Sequence, residues 1–173
     1  MQLIDPKDIP RLARLGVVAN FETFWFFADE WINENMVPLI GAKRAGRVYP
    51  FCSVARTGAV IVAGSDWPVS TPDPFLAIQV GITRQSSKDP RGAPWIPTER
   101  ASLETMVTAY TIAGAYVNHR DRETGSLEVG KAADFIIIDR DIFKIRPQEI
   151  GTTRVLFTFV DGRQVYEARA STE

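Results

Sequence analysis

One uninterrupted apolar run organises the chain. Ala59-Val60-Ile61-Val62-Ala63 has no polar break and stops at Gly64-Ser65-Asp66. A short apolar run bounded by turn residues predicts a strand buried on both faces, over 59–64, of the kind found in parallel sheets. In parallel α/β folds the chemistry sits at the carboxyl ends of the strands. Asp66 falls there. On the pattern alone it either caps a turn or belongs to a site.

The other elements follow in order. Residues 5–16 predict a short helix with Asp5 as N-cap, Pro6 at its first position and Gly16 at its end. Val17 to Phe21 predicts a strand, and Glu22 to Phe27 is an aromatic-rich exit that serves either as a pocket wall or as core. A helical pattern covers 29–40, and the basic stretch 41–49 predicts a solvated helix. Tyr49-Pro50 breaks it, and 51–57 gives another helical piece, in which Cys52 is a small buried apolar residue. Asp73-Pro74 starts a helix that runs to Arg84. Residues 86–98, with four prolines or glycines around Trp95, predict a long loop of the sort that forms lids. Ser102 caps a helix predicted to run toward His119.

From residue 125 the period changes. Phe135 to Asp139 predicts a buried strand. Val155–Val160 and Arg163–Tyr166 flank Asp161-Gly162, a strong hairpin signal. The chain therefore carries a small β module after its α/β part.

Composition narrows the chemistry. Lys plus Arg is 20 and Asp plus Glu is 21, a net charge of −1, which gives no footprint for nucleic acid or an anionic membrane. No apolar run approaches the ~20 residues of a bilayer span. The first residues lack a basic-then-apolar leader pattern. The lone Cys52 permits no internal disulfide, which suits a cytoplasmic location. The count of one histidine, His119, matters most, because a protein-held zinc takes about three or four ligands. These residues cannot build a His-rich metal site by themselves, and His119, beside Arg120 and Asp121, reads as a surface or structural residue.

Residues 125–139, Gly-Ser-Leu-Glu-Val-Gly-Lys-Ala-Ala-Asp-Phe-Ile-Ile-Ile-Asp, resemble the entry into the C-terminal β-sandwich of the metal-dependent amidohydrolase superfamily. Gly64-Ser65-Asp66-Trp67-Pro68-Val69 resembles the end of that family's eighth barrel strand. The YtcJ-like branch also accounts for residues 5–10, 109–116 and 155–166. The resemblance implies an α/β fold, the C-terminal part of a (β/α)8 TIM-like barrel over residues 1–122. Strands of a small β-sandwich would follow over 123–173. A full barrel takes about 250 residues.

The same resemblance implies a hydrolase acting on carbon–nitrogen bonds of small amide-type substrates with a divalent metal, zinc in most of the family. The family's metal is held by an early His-x-His pair, by histidines of the middle strands, and by the aspartate that maps onto Asp66. The histidines have no counterpart here. Phe21-Glu22-Thr23 occupies a stretch where relatives carry Gln-Pro. Asp66 is then the expected general acid/base and a metal ligand. Trp67, Arg84 and Trp95 are candidate pocket or lid residues. Three readings stay open: a C-terminal portion inactive alone, one half of a split enzyme completed by an N-terminal half, and a non-catalytic binding remnant. A partial barrel exposes strand edges and apolar faces, so self-association is expected.

Overall fold

The computed structural model describes residues 1–169. The fold is mixed α/β, with two sheets. In the first, β1 (Ala19–Glu22) and β2 (Ile61–Gly64) run parallel, with Ala19 opposite Ile61 and Glu22 opposite Gly64. In the second, β3 (Phe135–Ile138), β4 (Val155–Val160) and β5 (Arg163–Glu167) form an antiparallel meander in that order. The predicted segment 123–173 extends into residues 170–173, which lie outside the described ones.

Short helices precede and link the strands of the first sheet. These are α1 (Ile9–Arg14), α2 (Val37–Ile40), α3 (Ala42–Ala45) and α4 (Phe51–Ala55). The predicted first helix starts later than expected. Asp5 closes a turn through its side chain to the Lys7 amide, and α1 begins after Asp8. The strand predicted over 17–21 is shifted to 19–22. The continuous helix predicted over 29–40 is a π-helical turn, Ile32–Met36, leading into α2. The stretch 41–49 is not simply a solvated helix, because Val48 and Tyr49 turn into the core. Cys52 is half-buried.

The aromatic exit of β1 is core. Phe21, Phe26 and Phe51 are fully buried, with ring centres 5.2 to 5.9 Å apart. Each such ring removes a large apolar area from water, and the tilted and edge-on pairs suit their quadrupoles. Helix α4 is capped at long range, since the Glu99 carboxylate accepts the Ser53 amide at 2.8 Å and also the Ser53 hydroxyl.

Helix α5 (Pro74–Thr83) is buried nearly all round, which its almost uninterrupted apolar sequence permits. Asp73 caps it, accepting from the Phe75 amide at 2.9 Å. Gln79 on α5 accepts the Gly151 amide at 2.8 Å and so ties the turn Pro147–Thr152 to it. The helix predicted from Ser102 toward His119 is interrupted. Helix α6 (Leu103–Tyr110) ends at Thr111, whose φ of −122° and ψ of −99° leave the helical region, and α7 (Ile112–Val117) restarts beyond it.

The hairpin forms as the sequence predicts. Asp161 and Gly162 both take positive φ, 51° and 73°, the conformation an Asp-Gly turn supplies. The strand predicted as buried over 135–139 is only partly so, because Ile136 and Ile137 stay exposed on opposite faces of a three-stranded sheet. Each strand joint carries a bulge. Leu156 is the extra residue of β4 against β3, and Val165 that of β5 against β4.

Candidate functional site

The two parallel strands end side by side, and this places Glu22 beside Gly64. Asn20 donates to the Glu22 carboxylate at 3.0 Å. Beyond Gly64 the chain closes a small turn on itself. The Val69 amide donates to the Asp66 carbonyl at 2.8 Å, and the Trp67 amide to the Ser65 hydroxyl at 3.2 Å. The Ser70 hydroxyl also bonds the Ser65 carbonyl. Asp66 sits at the head of this turn with φ of 51°, a left-handed conformation that Asp tolerates better than most residues. Its side chain is exposed, as are Trp67 and Val69 beside it.

The other two predicted residues lie in a second group. Arg84 ends α5 with φ of 59° and has no exposed surface. Its Nε donates to the Trp95 carbonyl at 2.9 Å and its Nη1 to the Tyr49 carbonyl at 3.3 Å. Its guanidinium lies 4.6 Å from the Phe26 ring centre and 5.6 Å from that of Trp95. Burial pushes Arg84 down to about 10 and the neighbouring Tyr49 phenol up to about 12. Hydrogen bonds and ring contacts thus join Arg84 to Trp95, and Asp66 to the Trp67 turn. None among the described residues joins one pair to the other.

Tyr110, which the sequence pattern places on an apolar helix face, reaches the strand ends. Its hydroxyl lies 3.5 Å from the Gly64 carbonyl. Burial raises the phenol, and the Glu22 and Asp73 carboxylates add to that. Thr23, which follows β1, donates its hydroxyl to the Ala77 carbonyl at 3.2 Å. Periodicity carries no signal for this cluster, since its members come from four separate segments.

An open groove of about 1150 Å³ lies between α6–α7 and the antiparallel sheet, lined by Tyr110, Ile112, Leu127, Ile136 and Phe159 among others. His119 is exposed in the turn after α7. Among the described residues no group of three or more His, Cys, Asp or Glu could hold a metal ion. A divalent metal therefore does not fit the donors present here, where Asp66 and Glu22 offer carboxylates at the strand ends and no imidazole joins them. Among the described residues no helix is long and apolar enough to cross a membrane.

This fold is shared with solved structures described as metal-dependent hydrolases. A metal-dependent hydrolase of Pyrococcus horikoshii superposes with a TM-score of 0.69 at 22% identity, over 84% of this chain and 29% of the other. The chain belongs to the amidohydrolase family, whose pattern matches residues 1–166. It is 25% identical to the putative amidohydrolase YtcJ of Bacillus subtilis, over 96% of this chain and 31% of that protein. It is 30% identical to an N-substituted formamide deformylase of Arthrobacter pascens, over 93% and 29%. It is 31% identical to the protein LONG AFTER FAR-RED 3 of Arabidopsis thaliana, over 95% and 27%. The chain spans less than a third of the length of each of these relatives.

Proposed function

We propose that residues 1–122 are the C-terminal part of a (β/α)8 amidohydrolase barrel, that 123–173 contribute strands of its β-sandwich, and that Asp66 is the general acid/base of a carbon–nitrogen hydrolase. The observation that carries this reading is Asp66 itself, exposed at the head of a closed turn just past the carboxyl end of a parallel strand. A carboxylate there takes a proton from the attacking water as the C–O bond forms, and gives it to the nitrogen as the C–N bond breaks. The substrate class is a small amide, the class to which the formamide deformylase's name belongs.

A divalent metal, zinc in this reading, would take its imidazole ligands from outside these residues. No step through it is derived from the residues here. The chain alone is then inactive and works with an N-terminal half, as part of one polypeptide or as a split enzyme. The lone free Cys52 suits a cytoplasmic setting. Trp67 would line the substrate's approach to Asp66, whereas Arg84 and Trp95 would act on the pocket only through the loop they hold.

The test is co-expression with an N-terminal half that carries the family histidines. Metal content and hydrolysis of N-substituted formamides are then measured. The expected result is metal uptake and turnover only with both halves. Asp66→Asn should lower turnover by about 10²–10⁴-fold with the complex intact. Chelator-sensitive hydrolysis by the chain alone overturns its inactivity. An Asp66→Asn complex with undiminished turnover removes Asp66 from the chemistry and favours the non-catalytic reading.

A further inference from the structure

Side chains alternate across a strand, so Asn20 and Glu22 leave β1 on the face opposite Ala19 and Phe21. The Phe21 face is covered by the rings of Phe26 and Phe51. The other face is polar at its carboxyl end. There Glu22 stands opposite Gly64, and the Asn20 amide donates to one of its carboxylate oxygens at 3.0 Å. A carboxylate can accept about four hydrogen bonds, and this is the one it takes among the described residues. Its second oxygen lies 3.8 Å from the Met1 amino nitrogen, outside hydrogen-bond reach.

Gly64 leaves room at the same point, and the fold does not ask for it. Its φ lies outside the left-handed region that favours glycine. A Cβ there would meet only the Asn20 Oδ1, at 3.7 Å, an ordinary contact. Glycine also weakens a strand relative to alanine. A strand glycine that neither backbone nor packing requires marks a place where a ligand comes close.

We propose that Glu22 is a substrate-binding residue: its carboxylate accepts the N–H of the scissile amide in the space left by Gly64. The inference rests on the role of Asp66 given above. Asp66 follows Gly64 by two residues, at most about 7 Å along the chain, so one small amide can lie against both carboxylates. A secondary amide nitrogen carries one hydrogen. With that hydrogen held by Glu22, the lone pair that localises on nitrogen as the C–O bond forms is left for Asp66, which delivers the proton. Glu22 itself neither gives nor takes a proton, and Asn20 fixes its orientation. The site therefore selects amides whose nitrogen bears a hydrogen. A nitrogen with two carbon substituents leaves the Glu22 carboxylate unpaired beside it.

The experiment uses the complex with the N-terminal half, in its Asp66→Asn form so that the probes persist. The probes are N-butylformamide and N-butyl-N-methylformamide, and binding is read by calorimetry. N-butylformamide should bind about 10–100-fold tighter, the range of a hydrogen bond to a charged acceptor. In Glu22→Met, which keeps the side-chain length and removes the acceptor, that preference should vanish. Gly64→Ala should weaken both probes about fivefold or more by crowding them. In the full chain alone, Gly64→Ala should leave the urea midpoint equal or raised. This last arm needs no partner half and reads the premise should Glu22→Met fail to assemble. Equal affinity for the two probes overturns the proposal, and so does a preference that survives Glu22→Met. A urea midpoint lowered by Gly64→Ala also overturns it, because the glycine then serves the fold. Full turnover by the Asp66→Asn complex removes the proton-transfer role of Asp66, while the probe preference and its loss in Glu22→Met, then read as KM, still decide the role of Glu22.

Discussion

Arg84 and Trp95 hold each other from both sides: Nε of Arg84 donates to the Trp95 carbonyl at 2.9 Å, and the Trp95 amide donates to the Arg84 carbonyl at 2.8 Å. The intervening residues form a loop closed at its neck by one buried guanidinium. That guanidinium also bonds the Tyr49 carbonyl and lies over the Phe26 ring. The side chain offered by the sequence as a pocket residue is thus a structural rivet with one unpartnered nitrogen, Nη2.

Removing the rivet should be costly. Arg84→Ala leaves two buried carbonyls without their donor and opens a cavity, for a loss of about 3 kcal/mol or more. Arg84→Met refills most of the volume and relieves the charge burial, so its expected cost is smaller, about 2 kcal/mol. Urea unfolding of both variants checks the order. A stabilised Arg84→Met would mean that desolvation of the charge outweighs its hydrogen bonds.

Tyr49 gives a pH dependence with a definite sign. Its folded value, pushed up to about 12 by burial, exceeds the ordinary 10.0. The unfolded chain therefore loses its proton first. The contribution is fully present below pH 10 and is lost as pH rises through about 12. The stability of the unaltered chain relative to Tyr49→Phe should fall across that window and stay constant below it, as measured by denaturant midpoints at successive pH values.

Gly125 is required by shape as well as by backbone. Its φ is +89°, and a Cβ there would lie 2.6 Å from the Ala115 Cβ and 2.9 Å from the Ile112 Cα. Gly125→Ala should cost about 2–5 kcal/mol, from positive-φ strain together with overpacking against α7. Thermal melting of Gly125→Ala beside Gly130→Ala separates the two terms, because Gly130 has a positive φ and open space.

Asp73 should behave as an N-cap. Asp73→Ala should lose about 1 kcal/mol, and Asp73→Asn only a fraction of that, because an amide oxygen can accept from the Phe75 amide equally well. Chemical denaturation of the two variants reads the difference.

The parts of the fold that local chemistry dictates were legible in the sequence. Asp73-Pro74, Ser102 and Asp161-Gly162 mark a cap, a cap and a turn wherever they stand. What the sequence misplaced came from tertiary choices. Val48 and Tyr49 follow a basic run yet turn inward, because the Phe26 and Arg84 surface needs covering. The helix at 102–119 breaks at Thr111, although its apolar spacing runs on across the break. At the candidate site, the position of Asp66 just past a strand end was legible because the apolar run stops at Gly64. The approach of Tyr110 to Gly64 was not, since 46 residues separate them and only the packing of α6 on β2 brings the hydroxyl near that carbonyl.

The bulge at Val165 has a consequence for how copies of the chain can meet. Because Gln164 and Tyr166 pair with adjacent residues of β4, the in–out alternation of β5 is broken at its midpoint. Arg163 then shares a face with Tyr166, and Glu167 shares the other with Gln164, to which it is bonded. An antiparallel copy laid along β5 about Val165 would place Arg163 and Glu167 on opposite faces, where they cannot pair. This edge is therefore poorly suited to templating an endless ribbon of copies of the chain.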